Sequence, residues 1–469
     1  MEVRTLDGGT VELDRDTLQA GLRLPLLTPG EPGFDDSVRL WNGMIRKQPA
    51  LVVRPTGAAC VQHAVRFAHE RGLLISIKCG GHNIGGTAVA DGGIVFDLGR
   101  MKGVHVDPRA RIVRVQAGCL LGDVDRETGV HDLATVLGFI SETGVAGLTL
   151  GGGFGYLSRQ HGYTVDNLVE VEIVTADGKV QRASRDENAD LFWALRGGGG
   201  NFGVVTSFTF ALHPVPPRIL AGMAFWDAAD APAVLDLLRE WSPSSPRTVT
   251  SALTIRNAPA APFMPKEWHG KPVLGWIVCH VGAVRDRALA DLAPMRTIRK
   301  PIVDLIVEKT YVDQQRLLDA TQPKGPAYYW KSEYLPRLDG DLFPVALEQA
   351  RAVTSPLSAV IFFQMEGALS ERKSDDGAVG NRDARWLCAA AGSWPADDPR
   401  GAEHEAWVRA TWSRLRPFST GGSYLNFQGA DEGEDRTRAS YGANYERLAT
   451  VKRAVDPDNF FRVNRNVRT

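Results

Sequence analysis

Between two short apolar runs, at residues 73–77 and 92–98, the chain reads Lys78-Cys79-Gly80-Gly81-His82-Asn83-Ile84-Gly85-Gly86. The flanking runs have the length and apolar character of buried strands. A glycine-rich link leaves backbone N–H groups with no side chain in front of them, so the chain can bend closely around an anion such as a pyrophosphate. His82 therefore sits where backbone must approach a ligand. Two more clusters follow, Gly147-Leu148-Thr149-Leu150-Gly151-Gly152-Gly153-Phe154-Gly155 and Gly197-Gly198-Gly199-Gly200-Asn201-Phe202-Gly203. One glycine loop constrains little. Three, one of them carrying a histidine, point to a large phosphate-bearing cofactor.

At 469 residues the chain exceeds what one hydrophobic core serves, which predicts at least two domains. Its 54 basic and 55 acidic residues nearly cancel, so no charge excess draws it to nucleic acid or to an anionic membrane surface. No apolar run approaches the roughly 20 residues that span a bilayer. The N-terminal Met1-Glu2-Val3-Arg4-Thr5-Leu6-Asp7 lacks the basic-then-apolar profile of a secretory signal. Cys60, Cys79, Cys119, Cys279 and Cys388 are scattered and odd in number, with no metal-ligand spacing and no disulfide framework. The expectation is a metal-free protein of the reducing cytoplasm that acts on small molecules; its oligomeric state is not legible.

Up to about residue 215 strands and helices alternate. Residues 51–55 read as a strand and 57–71 have helical spacing through Val61, Ala64, Val65 and Ala68. Residues 112–118 and 168–175 alternate as half-buried strands, the second ending in the turn Ala176-Asp177-Gly178. The run 191–195 leads into the third glycine cluster, and 204–210 leaves it as a strand. Pro214-Val215-Pro216-Pro217 then punctuates the chain, since proline cannot donate to a ladder. A boundary there predicts domains over 1–217 and 218–414, with a tail from 415 to 469. The middle part carries strands at 273–281 and 359–365, a helix at 231–241, and aromatics including Tyr328, Tyr329, Trp330 and Tyr334. The tail holds Tyr424-Leu425-Asn426-Phe427, a helical stretch over 441–454, and the helix stop Asp456-Pro457-Asp458-Asn459.

A nicotinamide-type fold is disfavoured, because that fingerprint needs strand, GxGxxG turn, helix, then an acid about 20 residues on. Here Gly151-Gly152-Gly153 runs into Tyr156-Leu157-Ser158-Arg159 instead. No HExxH, paired CxxC, GxSxG or GxxxxGKS/T occurs, which removes zinc-peptidase, hydrolase and NTPase chemistry of those kinds. Taken alone, Tyr424 reads as a core tyrosine, Asp97 as a strand-end cap and Glu366 as a solvated strand-end charge.

Together the motifs resemble the covalent-flavin oxidases of the vanillyl-alcohol oxidase superfamily, in the berberine bridge enzyme-like branch, and bacterial members of the 6-hydroxy-D-nicotine oxidase type. The resemblance rests on Gly80-Gly81-His82-Asn83, Asp91-Gly92-Gly93-Ile94-Val95-Phe96-Asp97-Leu98, Gly151-Gly152-Gly153-Phe154-Gly155 and Gly162-Tyr163-Thr164-Val165-Asp166-Asn167, in family order. It continues through residues 192–206, Tyr424-Leu425-Asn426-Phe427 and residues 441–448, and runs from about 50 to 467 with the middle third matching least. It implies an α+β fold: a two-subdomain PCMH-type FAD-binding domain, interrupted by a substrate domain built on an antiparallel sheet backed by helices, with the tail returning to the FAD domain.

The resemblance also implies roles. FAD is bonded through His82. The FAD channel takes Lys78, Cys79, Gly80, Gly81, Asn83 and Gly86 from the first loop. Thr143, Gly144, Gly147, Leu148, Gly151, Gly152, Gly155 and Tyr156 come from the second, and Val205, Asn426 and Asn464 complete it. A subset of the family adds a cysteine tether four residues before Gly144-Val145, a position that here is Ile140, so His82 alone attaches the flavin. The family's oxygen-gating position, usually Val or Leu, is Thr143. Tyr424 matches a tyrosine placed beside the flavin and is the expected catalytic base; the carboxylate base of plant alkaloid enzymes has no counterpart near Ala389. Such a protein removes a hydride from a C–H bearing an alcohol or amine while a base takes the O–H or N–H proton, and passes the electrons to oxygen, giving peroxide. A dehydrogenase using another acceptor and a catalytically idle flavoprotein are the alternatives.

Overall fold

In the computed structural model, which describes residues 1–338 and 340–468, the runs around the first glycine cluster form the strands Ile75–Lys78 and Ile94–Asp97. These lie parallel, with Leu51–Val53 parallel on the other side of Ile94–Asp97 and Leu26–Leu27 antiparallel at the edge. Ile94–Asp97 is buried at all four positions, as a central parallel strand covered on both faces must be. The helix Ala58–Glu70 supplies one cover by burying Val61, Ala64, Val65, Phe67 and Ala68.

A second, antiparallel sheet runs in the order Val180–Ser184, Leu168–Val174, Val204–Ala211, Ile112–Gln116, Val104–Asp107. The two sheets share one hydrophobic core, spanning Val3 to Leu212, and the last part of the chain joins it through Tyr445, Leu448, Phe460, Phe461 and Val467. Lys452 is fully buried there. Its ammonium pairs with Asp456 at 2.5 Å and donates to the carbonyls of Asn201 and Phe461, so the tail is tied to the third glycine cluster.

The middle of the chain forms a large antiparallel sheet: Val303–Asp304, Ile219–Asp227, Pro272–His280, Val249–Asn257, Ala359–Gln364, Trp386–Trp394, Ala327–Leu335, with Val307–Lys309 beside Ile219–Asp227. Side chains alternate across a strand. On one face Leu253, Ile255, Trp276 and Phe362 pack with Leu235, Leu292, Phe343 and Trp407 from four helices. On the other, Met223, Phe225, Ile277, Ala252 and Phe363 pack toward Tyr156, Phe154 and Tyr424. That second face closes over the glycine loops.

Three expectations need correction. The stretch 441–454 is not one helix: Glu434–Tyr441 ends at Gly442, whose φ of 56° leaves the right-handed region, and a second helix runs Tyr445–Val455. Pro214 does not end all pairing. His213–Pro214 forms a two-residue ladder with Leu133–Ala134, where a short edge strand tolerates proline's missing donor. Asp456 is more than a helix stop, since its carboxylate also accepts from the N–H groups of Phe460 and Phe461.

Candidate active site

The first and second glycine loops meet back to back. The thiol of Cys79 points away from the loop to donate to Ala117 O at 2.7 Å, and burial raises its pKa. This leaves the backbone of Gly80 against that of Gly144. A β-carbon on Gly80 would lie 2.5 Å from Gly144 N and 2.9 Å from its Cα, so neither loop has room for a side chain at the seam. Gly147, one helical turn on, has open space where its β-carbon would be, because it faces a cavity of about 790 Å3.

All three glycine clusters line this cavity. Cys79, Gly80, Gly81, His82 and Asn83 come from the first, Thr143, Gly144, Gly147, Leu148 and Gly151 from the second, and Gly199, Gly200 and Gly203 from the third. Val205, Tyr424, Asn426 and Asn464 complete the set read from sequence. Five expected positions lie off the wall. Lys78 ends its strand paired to Asp97 at 3.4 Å. Gly86, with φ 67°, makes a turn against Ile45, and Gly155 admits the carbonyl of Leu137, so both serve close packing. Gly152, with φ 111°, shapes the turn whose N–H bonds Thr149 O. Tyr156 packs edge-on behind Phe139, 4.8 Å between ring centroids, and Phe139 rather than Tyr156 reaches the cavity.

His82 is held by aromatics that its own motif does not contain. Trp41 stacks on it at 4.3 Å and 17°, and Tyr328 in turn stacks on Trp41 at 3.6 Å and 12°. Trp41 is fixed by its backbone N–H to Gly81 O and by Nε1 to Gln322 O, both at 3.0 Å. Asn42 ties the same layer together, donating to the carbonyls of Ile84 and Tyr328 and accepting from Tyr328 N–H. Burial pushes the imidazole down to about 4, so it is neutral at physiological pH, and its Nε2 is buried with no hydrogen-bond partner.

Tyr424 is 2% exposed and wedged among Phe154, Phe427, Phe363 and Ala252. Its oxygen accepts from Gly153 N–H at 3.1 Å and from the amide of Asn426 at 2.9 Å. Burial raises the phenol's pKa, and those two donors act in the opposite direction. With two N–H groups on the oxygen, the hydroxyl proton is left to point elsewhere, and the residue lines the cavity. Asn426 donates its other hydrogen to Leu148 O, 3.1 Å away, and so links the tail to the second glycine loop.

The aromatic run in the middle part is split by alternation. Tyr328 and Trp330 line the cavity, while Tyr329 faces the helices and donates its hydroxyl to Asp431. Gln364 is likewise turned to the helical side, donating to Ser242 O, and Glu366 bonds to Gln364 off the cavity wall. Trp41, Phe139, Arg256 and Arg465 are wall residues that the sequence reading missed. Among the described residues no Asp, Glu or Lys lines the cavity, and no cluster of three or more metal-ligating side chains occurs.

The residues present fit FAD. A side-chain-free seam of glycine backbone suits close approach of a pyrophosphate, and buried polar atoms without partners border the cavity at His82 Nε2, Asn464 Oδ1, Arg465 Nε and Trp330 Nε1.

Two family profiles match the chain: "FAD binding domain" over residues 49–184 and "Berberine and berberine like" over residues 423–468. The chain is 31% identical to (R)-6-hydroxynicotine oxidase of Paenarthrobacter nicotinovorans, covering 94% of this chain and 96% of that protein. It is 30% identical to an FAD-linked oxidoreductase of Dictyostelium discoideum over 91% of this chain and 90% of the other. The crystal structure of 6-hydroxy-D-nicotine oxidase from Arthrobacter nicotinovorans superposes with a TM-score of 0.82 at 27% identity, covering 95% of this chain and 98% of that one.

Proposed function

Because the chain belongs to the berberine bridge enzyme-like FAD-linked oxidoreductases, we propose that it is an oxidase with FAD bonded through His82 and Tyr424 as catalytic base. Residues 1–217 and 415–469 hold the cofactor in this reading, and 218–414 shape the substrate pocket. The observation that carries it is the convergence, on one cavity, of a neutral stacked imidazole, three glycine loops and a tyrosine whose oxygen already holds two N–H donors.

When bound, the flavin supplies the hydride acceptor and the route for electrons to oxygen. The protein's residues do the rest. The Gly80–Gly144 seam and the Asn464 and Arg465 region grip the cofactor through backbone and amide groups. His82 fixes it covalently, and the Trp41–Tyr328 stack holds the imidazole ring in place. Ile140 offers no thiol, so the tether is single. Phe139, Phe154, Phe363 and Phe427 exclude water and orient the substrate's C–H. Tyr424 takes the O–H or N–H proton. It does so as the tyrosinate, formed by prior loss of the phenol proton to solvent, and returns to the phenol; the Gly153 N–H and the Asn426 amide stabilise that tyrosinate, because both bonds strengthen when the oxygen is charged. Burial among apolar rings disfavours that tyrosinate, and with no cation beside it among the described residues it depends on those two donors.

Acid precipitation tests the cofactor assignment: the pellet should stay yellow, and tryptic mapping should find one flavin peptide, containing His82. A colourless pellet over a yellow supernatant overturns the covalent link. A peroxide-coupled screen over amines, sugars and phenolic alcohols tests the reaction. Substrate-driven flavin bleaching without peroxide in air would replace the oxidase with a dehydrogenase, for which Thr143 at the expected oxygen-gating position is the specific reason.

A further inference from the structure

The substrate face of the large sheet is built from small and apolar residues, with one exception. In register across five strands lie Val273, Arg256, Ala359, Ala391 and Trp330. The adjacent row is Phe225, Gly275, Thr254 and Ile361, and the next is Met223, Ile277, Ala252 and Phe363. Of the side chains in these rows that line the cavity, Arg256 is the only charged one among the described residues; Asp227, beyond Val273 in the first row, lies off the wall and accepts from Ala229 N–H. Arg256 lines the cavity and is half-buried. Its one hydrogen bond runs from Nε to the carbonyl of its neighbour Asn257 at 3.3 Å, and no carboxylate pairs with it among the described residues. The other arginine on the wall, Arg465, is already spent on the carbonyls of Gln428 and Gly429 at the cofactor end.

An arginine with no acid to neutralise it, in a cavity lacking Asp and Glu, is a desolvated charge that awaits an anion. Burial works against its charged form and pulls its pKa down. The chemistry of the anion follows from the rest of the wall. A single guanidinium balances one charge, and its planar fork matches a carboxylate bidentately. A phosphate monoester carries close to two charges and would leave one facing phenylalanines. An ammonium would meet Arg256 with no counter-charge at all.

Arg256 is four residues along its strand from Ala252, which packs with Tyr424. That places their Cα atoms about 13 Å apart at the rise of an extended strand. We propose that the substrate is an aryl or otherwise apolar molecule bearing a carboxylate, bound by Arg256 at the end of the cavity remote from the C–H presented beside Tyr424. This deepens the oxidase assignment and rests on it for where the reacting bond lies, but the binding site itself does not depend on turnover.

The test uses the flavin-loaded enzyme and three matched probes: naphthalene-2-acetate, naphthalene-2-acetamide and 2-(2-naphthyl)ethylamine, each titrated against the flavin absorption spectrum. The wild type should bind the acid about 10-fold or more tightly than the amide, the scale of one charge-assisted hydrogen-bonded pair, and the amine most weakly. Arg256→Gln should bind acid and amide alike, whereas Arg256→Lys should retain part of the preference. Flavin content should match wild type in both variants, which separates lost recognition from misfolding. Equal binding of acid and amide by the wild type overturns the proposal. So does a preference that survives in Arg256→Gln, or the absence of any spectral response to the acid. Failure of the oxidase reading would appear separately, as absent peroxide with this titration intact.

Discussion

Replacing Tyr424 by Phe removes one oxygen atom and leaves the ring where Phe154 and Phe427 pack it edge-on, each at 4.9 Å between centroids. Two consequences follow, and they differ in kind. The Gly153 N–H loses its acceptor in a buried setting, which costs about 1–3 kcal/mol of folding free energy. The amide of Asn426 loses one of two partners and keeps Leu148 O, so its loss falls at the low end of that range. The second consequence is catalytic: without the proton acceptor, anaerobic flavin reduction should slow by about 10²-fold or more, equivalent to about 2.7 kcal/mol of barrier. Asn426→Leu offers a graded control. It retains the phenol and removes one of the two donors that stabilise the tyrosinate, so reduction should slow by roughly 10-fold, near 1.4 kcal/mol. Stopped-flow reduction with a substrate from the peroxide screen, beside chemical denaturation of each variant, measures both. Tyr424→Phe reducing its flavin within about twofold of wild type, with weaker binding, would refute the base and leave Tyr424 a pocket wall.

Trp41→Ala should lower the acid-stable fraction of flavin well below that of wild type while FAD still binds, since the ring stacked on His82 is lost; precipitated protein read at flavin wavelengths checks it. Gly80→Ala forces a β-carbon onto the backbone of Gly144, so flavin occupancy and Tm should both fall, measured on freshly purified protein. Arg382 and Asp166 form a bidentate pair with side chains 2% and 0% exposed, and Asp166 also accepts from Tyr163 N–H. Arg382→Met should therefore cost about 3–5 kcal/mol in urea unfolding. In flavin-free protein His82 titrates near 4 folded and near 6.5 unfolded. The unfolded chain thus binds a proton the folded chain refuses, and the stability tied to His82 is complete above about 6.5 and lost as pH falls toward 4. Comparing wild type with His82→Ala at pH 7 and pH 5 isolates it: the wild type should lose more.

The glycine-lined half of the cavity was legible because it is made by backbone. A place where backbone touches backbone or a ligand demands glycine, and that demand is written in the sequence without reference to register. Gly80, Gly144 and Gly147 were readable for this reason, and so was His82 in their midst. At Gly86 and Gly155 the demand has a second source, since packing against Ile45 or the Leu137 carbonyl requires glycine just as strictly as a phosphate does. Periodicity located most strands within a few residues. It missed the Gly442 break, where an apolar rhythm carries through from one helix into the next.

The substrate half is made by side chains, and its composition depends on which face each strand presents. Tyr328, Tyr329 and Trp330 are consecutive, yet the fold sends the middle one to the helical side, and only the register with Trp386–Trp394 decides which. Arg256 carries no motif. Its proposed meaning arises because the rows beside it hold alanine, glycine and phenylalanine, and because among the described residues no acid lines the cavity. Trp41 is more remote still: it lies outside any helix or strand, and nothing in Trp41-Asn42 marks a partner 40 residues on. What places it is Asn42, whose single side chain satisfies backbone groups on both the His82 loop and the Tyr328 strand. A buried amide holding two distant segments in one layer is a constraint of three-dimensional bookkeeping. The His82 loop and the Tyr328 strand therefore share one joint, so on the proposed assignment a change at Asn42 should disturb flavin attachment and substrate binding together.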